Sequence, residues 1–283
     1  MSKFIGLILL TGAVFLILII GRTTPGNPAT SKPSERTAPQ TNIQYYSAPS
    51  GGTAISNSSK SETTPFLKKI DISSAGVSGY PKEYSRVALY SRLGEGEAVN
   101  LTGWKIKSNK SEIIISQAVE IYDPGGSLPT ADIILKSGHY VDLYSLTSPL
   151  NRNLRLNKCV GYLENIYDFK PLYLSQNCPY FPSSETRQLS GQCQSYLSSL
   201  SSCKTPDVSF YNNLPGTDEG NACRAFLQKI GYGSCFRSHR EDADFLSNNW
   251  IVWLEPQTLN LNSQHDYLRL YDKDGNLVSE YNY

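Results

Sequence analysis

Short segments in which apolar and polar residues alternate fill the chain from residue 66 onward. Residues 84–90 are a clear case, because apolar side chains recur at every second position, the period of a half-buried β-strand. Further predicted strands lie at 70–72, 99–101, 104–106, 113–115, 133–135, 140–144 and 154–156. Many short strands at close spacing predict a mainly β protein, built as a sandwich or a barrel.

Two more alternating segments, residues 267–271 and 277–283, end the chain. The turn between them reads Asp-Lys-Asp-Gly-Asn, and Gly275 supplies the positive φ that a tight hairpin requires. Asp272 and Asp274 also suggest calcium ligands, but an EF-hand needs a glycine at its sixth position and a glutamate at its twelfth, and neither fits. We therefore predict a β-hairpin and no metal site.

The N-terminus has a different pattern, because residues 4–20 are almost wholly apolar and carry no charge. About 18 helical residues reach roughly 27 Å, close to the thickness of a bilayer core. A cleaved signal peptide would have a shorter apolar run and an A-x-A-like site, which Asn27-Pro28-Ala29 matches poorly. We predict an uncleaved transmembrane signal-anchor over residues 1–21.

Residues 22–65 are rich in Pro, Ser, Thr and Gly. Their apolar residues are too few to offset the entropy cost of ordering the chain. We predict a disordered linker that holds the folded part, residues 66–283, clear of the membrane. Positive charges flank the apolar run on both sides, so they do not decide its orientation.

The cysteines decide the orientation better. Structural zinc sites usually contain C-x2–4-C pairs, but the nearest cysteines here, Cys193 and Cys203, are ten residues apart. An even number of cysteines in one segment predicts disulfides, and therefore an oxidising, extracytoplasmic compartment. The six are Cys159, Cys178, Cys193, Cys203, Cys223 and Cys235.

A weak repeat around these cysteines predicts two helices. Apolar residues at 196, 197 and 200 follow Cys193, and apolar residues at 226, 227 and 230 follow Cys223 with the same helical spacing. Cysteines at opposite ends of one helix would be about 15 Å apart, whereas a disulfide tolerates no more than about 7 Å. An antiparallel helix pair would instead join Cys193 to Cys235 and Cys203 to Cys223, and leave Cys159 for Cys178.

Two strand motifs and the closing hairpin resemble the lamin tail domain. The first motif contains Glu83-Tyr84, Val87 and Leu89, and the second reads Val-Asn-Leu-Thr-Gly-Trp from Val99 to Trp104. The resemblance covers residues 66–158 and 250–283, which makes 159–249 a cysteine-rich insertion, and it departs from the family pattern at Ser91-Arg92. It implies an interaction module with an immunoglobulin-like β-sandwich, whose core contains Val87, Leu89, Leu101, Gly103 and Trp104.

Net charge, tyrosine content and sequence motifs narrow the range of possible functions. The formal net charge is +1, so no strong field would draw the chain to nucleic acid. The 19 tyrosines fit strands, although tyrosine is also common at recognition surfaces. H-E-x-x-H, G-x-S-x-G and P-loop motifs are absent from the sequence. His239, beside Glu241, Asp242 and Asp244, could serve acid–base or metal chemistry, but a solvated loop or helix end is the favoured interpretation.

These patterns predict a single-pass cell-membrane protein, without enzyme activity or cofactor, whose extracytoplasmic sandwich binds a protein, a glycan or another polymer, or is a structural part of the envelope. Two alternatives stay open. An extracellular nucleic-acid binder, suggested by the resembled family, requires a basic patch. A hydrolase that uses the His239 cluster requires a cleft around that residue. The insertion is a candidate binding element, because functional variation often lies in segments added to a rigid scaffold.

Overall fold

The computed structural model describes residues 64–79 and 83–283. The predicted signal-anchor and almost all of the predicted linker lie outside these residues. Among the residues that the structure describes, no helix combines the length and the apolar character needed to cross a bilayer.

The described chain is mainly β, as predicted, with a group of short helices between two of its strands. The strands are β1 Ile70–Ser78, β2 Tyr84–Ser91, β3 Val99–Asn100, β4 Lys105–Lys107, β5 Glu112–Ile114, β6 Ile134–Leu135, β7 Tyr140–Tyr144, β8 Leu154–Asn157, β9 Leu246–Trp253, β10 Tyr267–Tyr271 and β11 Leu277–Asn282. The helices are the 3-10 helix η1 Val160–Asn165, α1 Ser183–Thr186, α2 Gly191–Ser199, α3 Val208–Asn212, α4 Asp218–Leu227 and α5 Tyr232–His239.

The strands form three sheets over these residues. A five-stranded sheet has the order β1-β2-β7-β9-β8, a four-stranded sheet has the order β11-β10-β4-β5, and β3 pairs with β6. Neighbouring strands are antiparallel except β7 and β9, which are parallel. All three sheets contribute to one hydrophobic core, which we call the first core. Its members include Val87, Leu89, Val141, Trp250, Val252, Leu101, Leu135, Ile106 and Leu270.

The motif Leu101-Thr102-Gly103-Trp104 is a turn that carries the chain from β3 to β4. The amide of Trp104 donates to the carbonyl of Leu101 at 3.1 Å, and Gly103, at the third position of the turn, has a φ of +86°. A turn with this hydrogen bond and a positive φ at its third position favours glycine at that position. Trp104 lies in the first core, where its ring centroid is 5.5 Å from that of Phe66. Val87, Leu89 and Leu101 are also fully buried there.

A second hydrophobic core lies on the other face of the five-stranded sheet. Ile251 and Trp253 of β9 belong to it, whereas Trp250 and Val252 belong to the first core, since successive side chains of a strand point to opposite faces. The helical segment supplies the other side of this second core, including all six cysteines. The five-stranded sheet is therefore covered on both faces along part of β9.

The helical segment joins two neighbouring antiparallel strands, β8 and β9. It takes the place of a hairpin loop and runs from residue 158 to residue 245. β9 starts at Leu246, so the end of the predicted insertion at residue 249 lies inside a strand. The two helices predicted from the cysteine repeat are confirmed as α2 and α4, and α5 was not predicted.

The six cysteines form three disulfides, as predicted, but the predicted pairing was wrong. The bonds are Cys159–Cys235, Cys178–Cys203 and Cys193–Cys223, with Cα–Cα distances of 5.9, 5.3 and 5.8 Å. Three disulfides indicate that this part of the chain folds in an oxidising compartment.

The pairing differs because the segment is more than a pair of helices. Cys203 lies past the end of α2, in a turn with a φ of +61°, where it reaches Cys178. Cys235 lies in the additional helix α5, which packs on η1, and Cys159 is the N-cap of η1. Cys193 and Cys223 are then left to connect α2 to α4 directly.

Candidate binding face

His239, the candidate acid or base, lies at the surface at the end of α5, with 31 % of its side chain exposed. Its Nδ1 is 2.8 Å from the Oδ2 of Asp242, which also accepts from Lys158 Nζ at 3.0 Å. Lys158 donates a second hydrogen bond to Asp244 at 2.5 Å. Hydrogen bonds from His239 and Lys158 lower the pKa of the Asp242 carboxyl, and one from Lys158 lowers the pKa of Asp244.

This ion-pair cluster connects the two ends of the helical segment, because Lys158 precedes η1 and Asp242 follows α5. Its geometry is that of a surface contact between chain segments. Within residues 64–79 and 83–283, no group of three or more His, Cys, Asp or Glu side chains is arranged to hold a metal ion.

Asp272, the other candidate ligand, is buried and its carboxylate is occupied by protein donors. It accepts hydrogen bonds from the backbone amides of Asp274 and Asn276, from the side-chain amide of Asn276, and from Thr64 Oγ1, at 2.9 to 3.1 Å. Gly275 has a φ of +85°. This carboxylate therefore organises the hairpin turn between β10 and β11, as the turn chemistry predicts.

The outer face of the five-stranded sheet carries a row of four side chains, one from each of β1, β2, β7 and β9. Tyr90 pairs with Asp71 on one side and with Tyr140 on the other, and Tyr140 pairs with Asn249. Directly paired residues point to the same face of a sheet. We call Asp71, Tyr90, Tyr140 and Asn249 the tyrosine row. It lies opposite the first core, which holds Leu89 and its neighbours.

The two rings of the row contact each other, with centroids 4.6 Å apart and planes inclined by 36°. The guanidinium of Arg92 lies 5.3 Å from the centroid of Tyr90, so this ring is held between Arg92 and Tyr140. Tyr140 is 46 % exposed, and its other neighbour, Asn249, is an exposed short side chain. The row therefore presents one supported aromatic ring to solvent, beside an amide.

Charges around the row cancel in pairs. Arg92 Nε is 2.5 Å from the Oδ2 of Asp71. One step further along the same face, Arg86 donates to Asp142 Oδ1 at 2.6 Å and to Ser74 Oγ at 3.3 Å. Each of these arginines thus has its own carboxylate. The face is rich in hydrogen-bonding groups but close to electrically neutral.

The helical segment covers only part of this sheet face. Ile251 and Trp253, which point to the same side as Asn249, are buried in the second core. Tyr84 and Tyr144, on β2 and β7, are packed against that core as well. The tyrosine row lies at the end of the sheet that the helical segment leaves open.

Two other surface features compete with the row as candidate sites. A shallow groove of about 200 Å³ follows β1 along Ser74–Ser78, and a small depression of about 60 Å³ lies beside Tyr180 and Phe181 in the helical segment. Tyr180 and Tyr173 are highly exposed single aromatics on that segment. The row differs from both of these features, because its exposed ring contacts a cross-strand aromatic partner and is flanked by polar side chains.

Sequence reasoning did not single out the row, because it attributed the tyrosines to strand preference. The signal was present as Tyr90 and Tyr140 at corresponding positions of two predicted strands. Their pairing depends on which strands become neighbours, and their exposure depends on where the helical segment packs.

Comparison with protein-family models, with curated proteins and with solved structures found no match. Function is therefore inferred from the site.

Proposed function

We propose that the chain is a membrane-anchored, extracytoplasmic binding module without catalytic activity, and that the tyrosine row is its binding surface. The observation that carries this proposal is the exposed Tyr140 ring, supported by Tyr90, at the end of the sheet face that the helical segment leaves open. Amphipathic aromatic side chains of this kind supply contact area at little entropy cost, and they are enriched at recognition surfaces.

Three features support the finer parts of the proposal. The disulfides favour an extracytoplasmic position, and the apolar run at residues 4–20 favours an N-terminal anchor. The buried Trp104, the turn at Gly103 and the closing hairpin favour an immunoglobulin-like, lamin-tail-like sandwich. The resemblance to a family of interaction modules agrees with binding as the function.

Neither alternative function is favoured by an observation. A nucleic-acid binder needs unpaired positive charge to neutralise phosphates, and Arg86 and Arg92 beside the row are each paired with a carboxylate. A hydrolase would need His239 in a cleft with a second catalytic group. Among the described residues, the one side chain that is hydrogen-bonded to His239 is the surface carboxylate of Asp242.

The binding role is tested on cell-envelope fragments from the organism that makes the protein. Full-length chain, solubilised in a detergent without a sugar head group, is mixed with the fragments and sedimented. We expect the wild-type protein to sediment with the fragments and the Tyr90→Ala/Tyr140→Ala variant to stay in the supernatant. The matched control Tyr173→Ala/Tyr180→Ala removes two exposed tyrosines from the helical segment and should bind as wild type does. Equal retention of wild type and the row variant would refute the assignment of the site.

The extracytoplasmic position is tested in intact cells that produce the full-length chain. A protease that cannot cross the membrane should digest the folded part, and a cytoplasmic marker protein should survive. Protection of the chain until the cells are lysed would reverse the proposed topology.

A further inference from the structure

We infer that the ligand of the tyrosine row is an uncharged polysaccharide, one sugar ring of which stacks on Tyr140; this inference rests on the binding role proposed above. Four properties of the row support this ligand: the shape of the exposed surface, its hydrogen-bonding groups, its charge and its length across the sheet.

The exposed surface is flat and narrow. Tyr140 offers a planar ring that Tyr90 supports from one side, and its neighbour on the other side is the short, exposed side chain of Asn249. The C–H face of a pyranose is apolar and of similar size to a phenol ring, so the two surfaces can stack. A protein partner of ordinary affinity would need an apolar patch at the centre of about 800 Å² of interface on each side. On this face Tyr140, at 46 % exposure, is the one large apolar side chain that counts as exposed among the described residues.

The polar groups beside the ring match a ligand that carries many hydroxyls. Asn249 offers an amide that both donates and accepts, Asp71 accepts, and Arg92 donates. Arg92 and Asp71 hold each other at 2.5 Å, so their remaining donors and lone pairs are oriented before any ligand binds. Planar groups fixed in this way can engage neighbouring hydroxyls of one sugar.

Charge separates a neutral sugar polymer from an anionic ligand. A polyanion gains affinity by pairing with unneutralised Lys or Arg, and both arginines on this face already have carboxylate partners. An anion would also approach Asp71 and Asp142 directly. A neutral ligand meets no such repulsion.

The open geometry favours a polymer over a free monosaccharide. The row crosses four neighbouring strands, which corresponds to about 14 Å at the usual spacing between strands. Because the row follows the surface of the sheet, a chain of sugar rings can lie across it. A single sugar would bury one face only, and we expect its binding to be weak.

The test uses full-length protein in a detergent without a sugar head group and a panel of neutral polysaccharides: cellulose, chitin, starch, mannan and a β-1,3-glucan. Heparin and single-stranded DNA serve as anionic comparators. We expect at least one neutral polysaccharide to deplete the protein from solution, with little dependence on salt. Tyr140→Ala should weaken this binding at least tenfold and Asn249→Ala several-fold.

Two further variants separate stacking from folding. Tyr140→Phe keeps the ring and should keep most of the binding, and Tyr180→Ala removes an exposed tyrosine elsewhere and should keep all of it. Thermal unfolding of each variant shows whether it is folded. The inference is overturned if folded wild type binds none of the neutral polysaccharides, if Tyr140→Ala binds as well as wild type, or if only heparin or DNA is bound.

Failure of the glycan inference is distinguishable from failure of the proposed function. If envelope fragments bind in a manner that depends on the row, but neutral polysaccharides do not and protease treatment of the fragments abolishes binding, the partner is a protein. The binding role then stands and the glycan inference falls. If fragments bind equally to the Tyr90→Ala/Tyr140→Ala variant, both fall.

Discussion

Gly103 is the residue in the Leu-Thr-Gly-Trp turn whose backbone conformation demands glycine. Its φ of +86° lies in the left-handed region, and a Cβ built there would meet no neighbouring atom, so backbone strain is the whole cost of a substitution. We expect Gly103→Ala to lower the free energy of unfolding by about 1–2 kcal/mol. Denaturant unfolding measures this change.

Gly191→Ala is the matched control for that measurement. Gly191 is the first residue of α2, and a Cβ there also meets nothing, but its φ is not positive. Its replacement should leave stability unchanged or raise it slightly. Equal losses at the two positions would show that Gly103 is not constrained by its backbone.

His139 gives the fold a stability that depends on pH. It is only 3 % exposed, and Trp250 Nε1 donates to its Nδ1 at 3.5 Å, which requires that nitrogen to be unprotonated. Burial, helped by the nearby charges of Arg155 and Lys136, lowers the pKa of His139 to about 4. In the unfolded chain this histidine takes up its proton near pH 6.5, so protons bind preferentially to the unfolded state between pH 6.5 and 4.

Stability should therefore fall as the pH is lowered through this window, by up to about 3 kcal/mol from His139 alone. We expect His139→Gln to flatten that part of the stability curve, whereas His265→Gln, at an exposed position, should leave its slope unchanged. Denaturant unfolding at a series of pH values measures the slope. The same slope in wild type and His139→Gln would assign the pH dependence to other groups.

Residue patterns predicted burial better than they predicted exposure. The first core contains Val87, Leu89 and Trp104, because alternation and the turn glycine fix which side of each strand is apolar. Tyr84 and Tyr90 follow the same pattern on β2 and point to the same face. One is packed against the second core and the other belongs to the exposed row. Only the position of the helical segment separates them, and no local sequence pattern encodes that.

At the scale of elements, the closing hairpin depends on one carboxylate. Asp272 accepts four hydrogen bonds, and the one from Thr64 ties the turn to the segment before β1. Asp272→Ala leaves several buried or half-buried donors unpaired, so we expect a loss of about 2–3 kcal/mol in the free energy of unfolding. Asp274→Ala, an exposed aspartate in the same turn, should cost much less. If the two variants lose the same stability, the carboxylate of Asp272 is not what holds the turn.

The three disulfides should contribute unequally. Cys159–Cys235 closes a loop of 76 residues and joins the start of the helical segment to its last helix, whereas Cys178–Cys203 spans 25 residues. From loop entropy alone, the first bond raises the free energy of the unfolded chain by about 4.5 kcal/mol and the second raises it by about 3.5 kcal/mol. We expect Cys159→Ala/Cys235→Ala to be less stable than Cys178→Ala/Cys203→Ala. The opposite order would mean that packing around the bonds outweighs loop closure.

Strands that have one face exposed to solvent were predicted from the sequence, whereas β9, which is buried on both faces at its end, was not predicted. Its last four residues, Trp-Ile-Val-Trp, are apolar without alternation, because both faces of the strand are buried there. The wrong disulfide pairing has a similar origin. The repeat around Cys193 and Cys223 revealed two helices, but α5 and the turn at Cys203 carried no periodic signal, and these two features decide the pairing.

At the scale of the whole described chain, β9 links two cores of different construction. The first core is built from the three sheets and contains no cysteine among its described members, whereas the second contains all six. The second core also sets the limit of the tyrosine row, because it covers the sheet face from Ile251 onward. The segment between β8 and β9 therefore sets the boundary of the proposed binding surface without contributing a residue to the tyrosine row.

Reduction of the disulfides should separate the two cores. We expect hydrogen exchange, followed by mass spectrometry of the full-length chain, to show protection lost first over residues 159–239, while β10 and β11 stay protected, because the bonds constrain only the second core. A chelator without reductant should change nothing. Simultaneous loss of protection in both regions would show instead that the five-stranded sheet folds only when the helical segment packs on Ile251 and Trp253. The row would then depend on the disulfides, and its binding should be lost on reduction together with the second core.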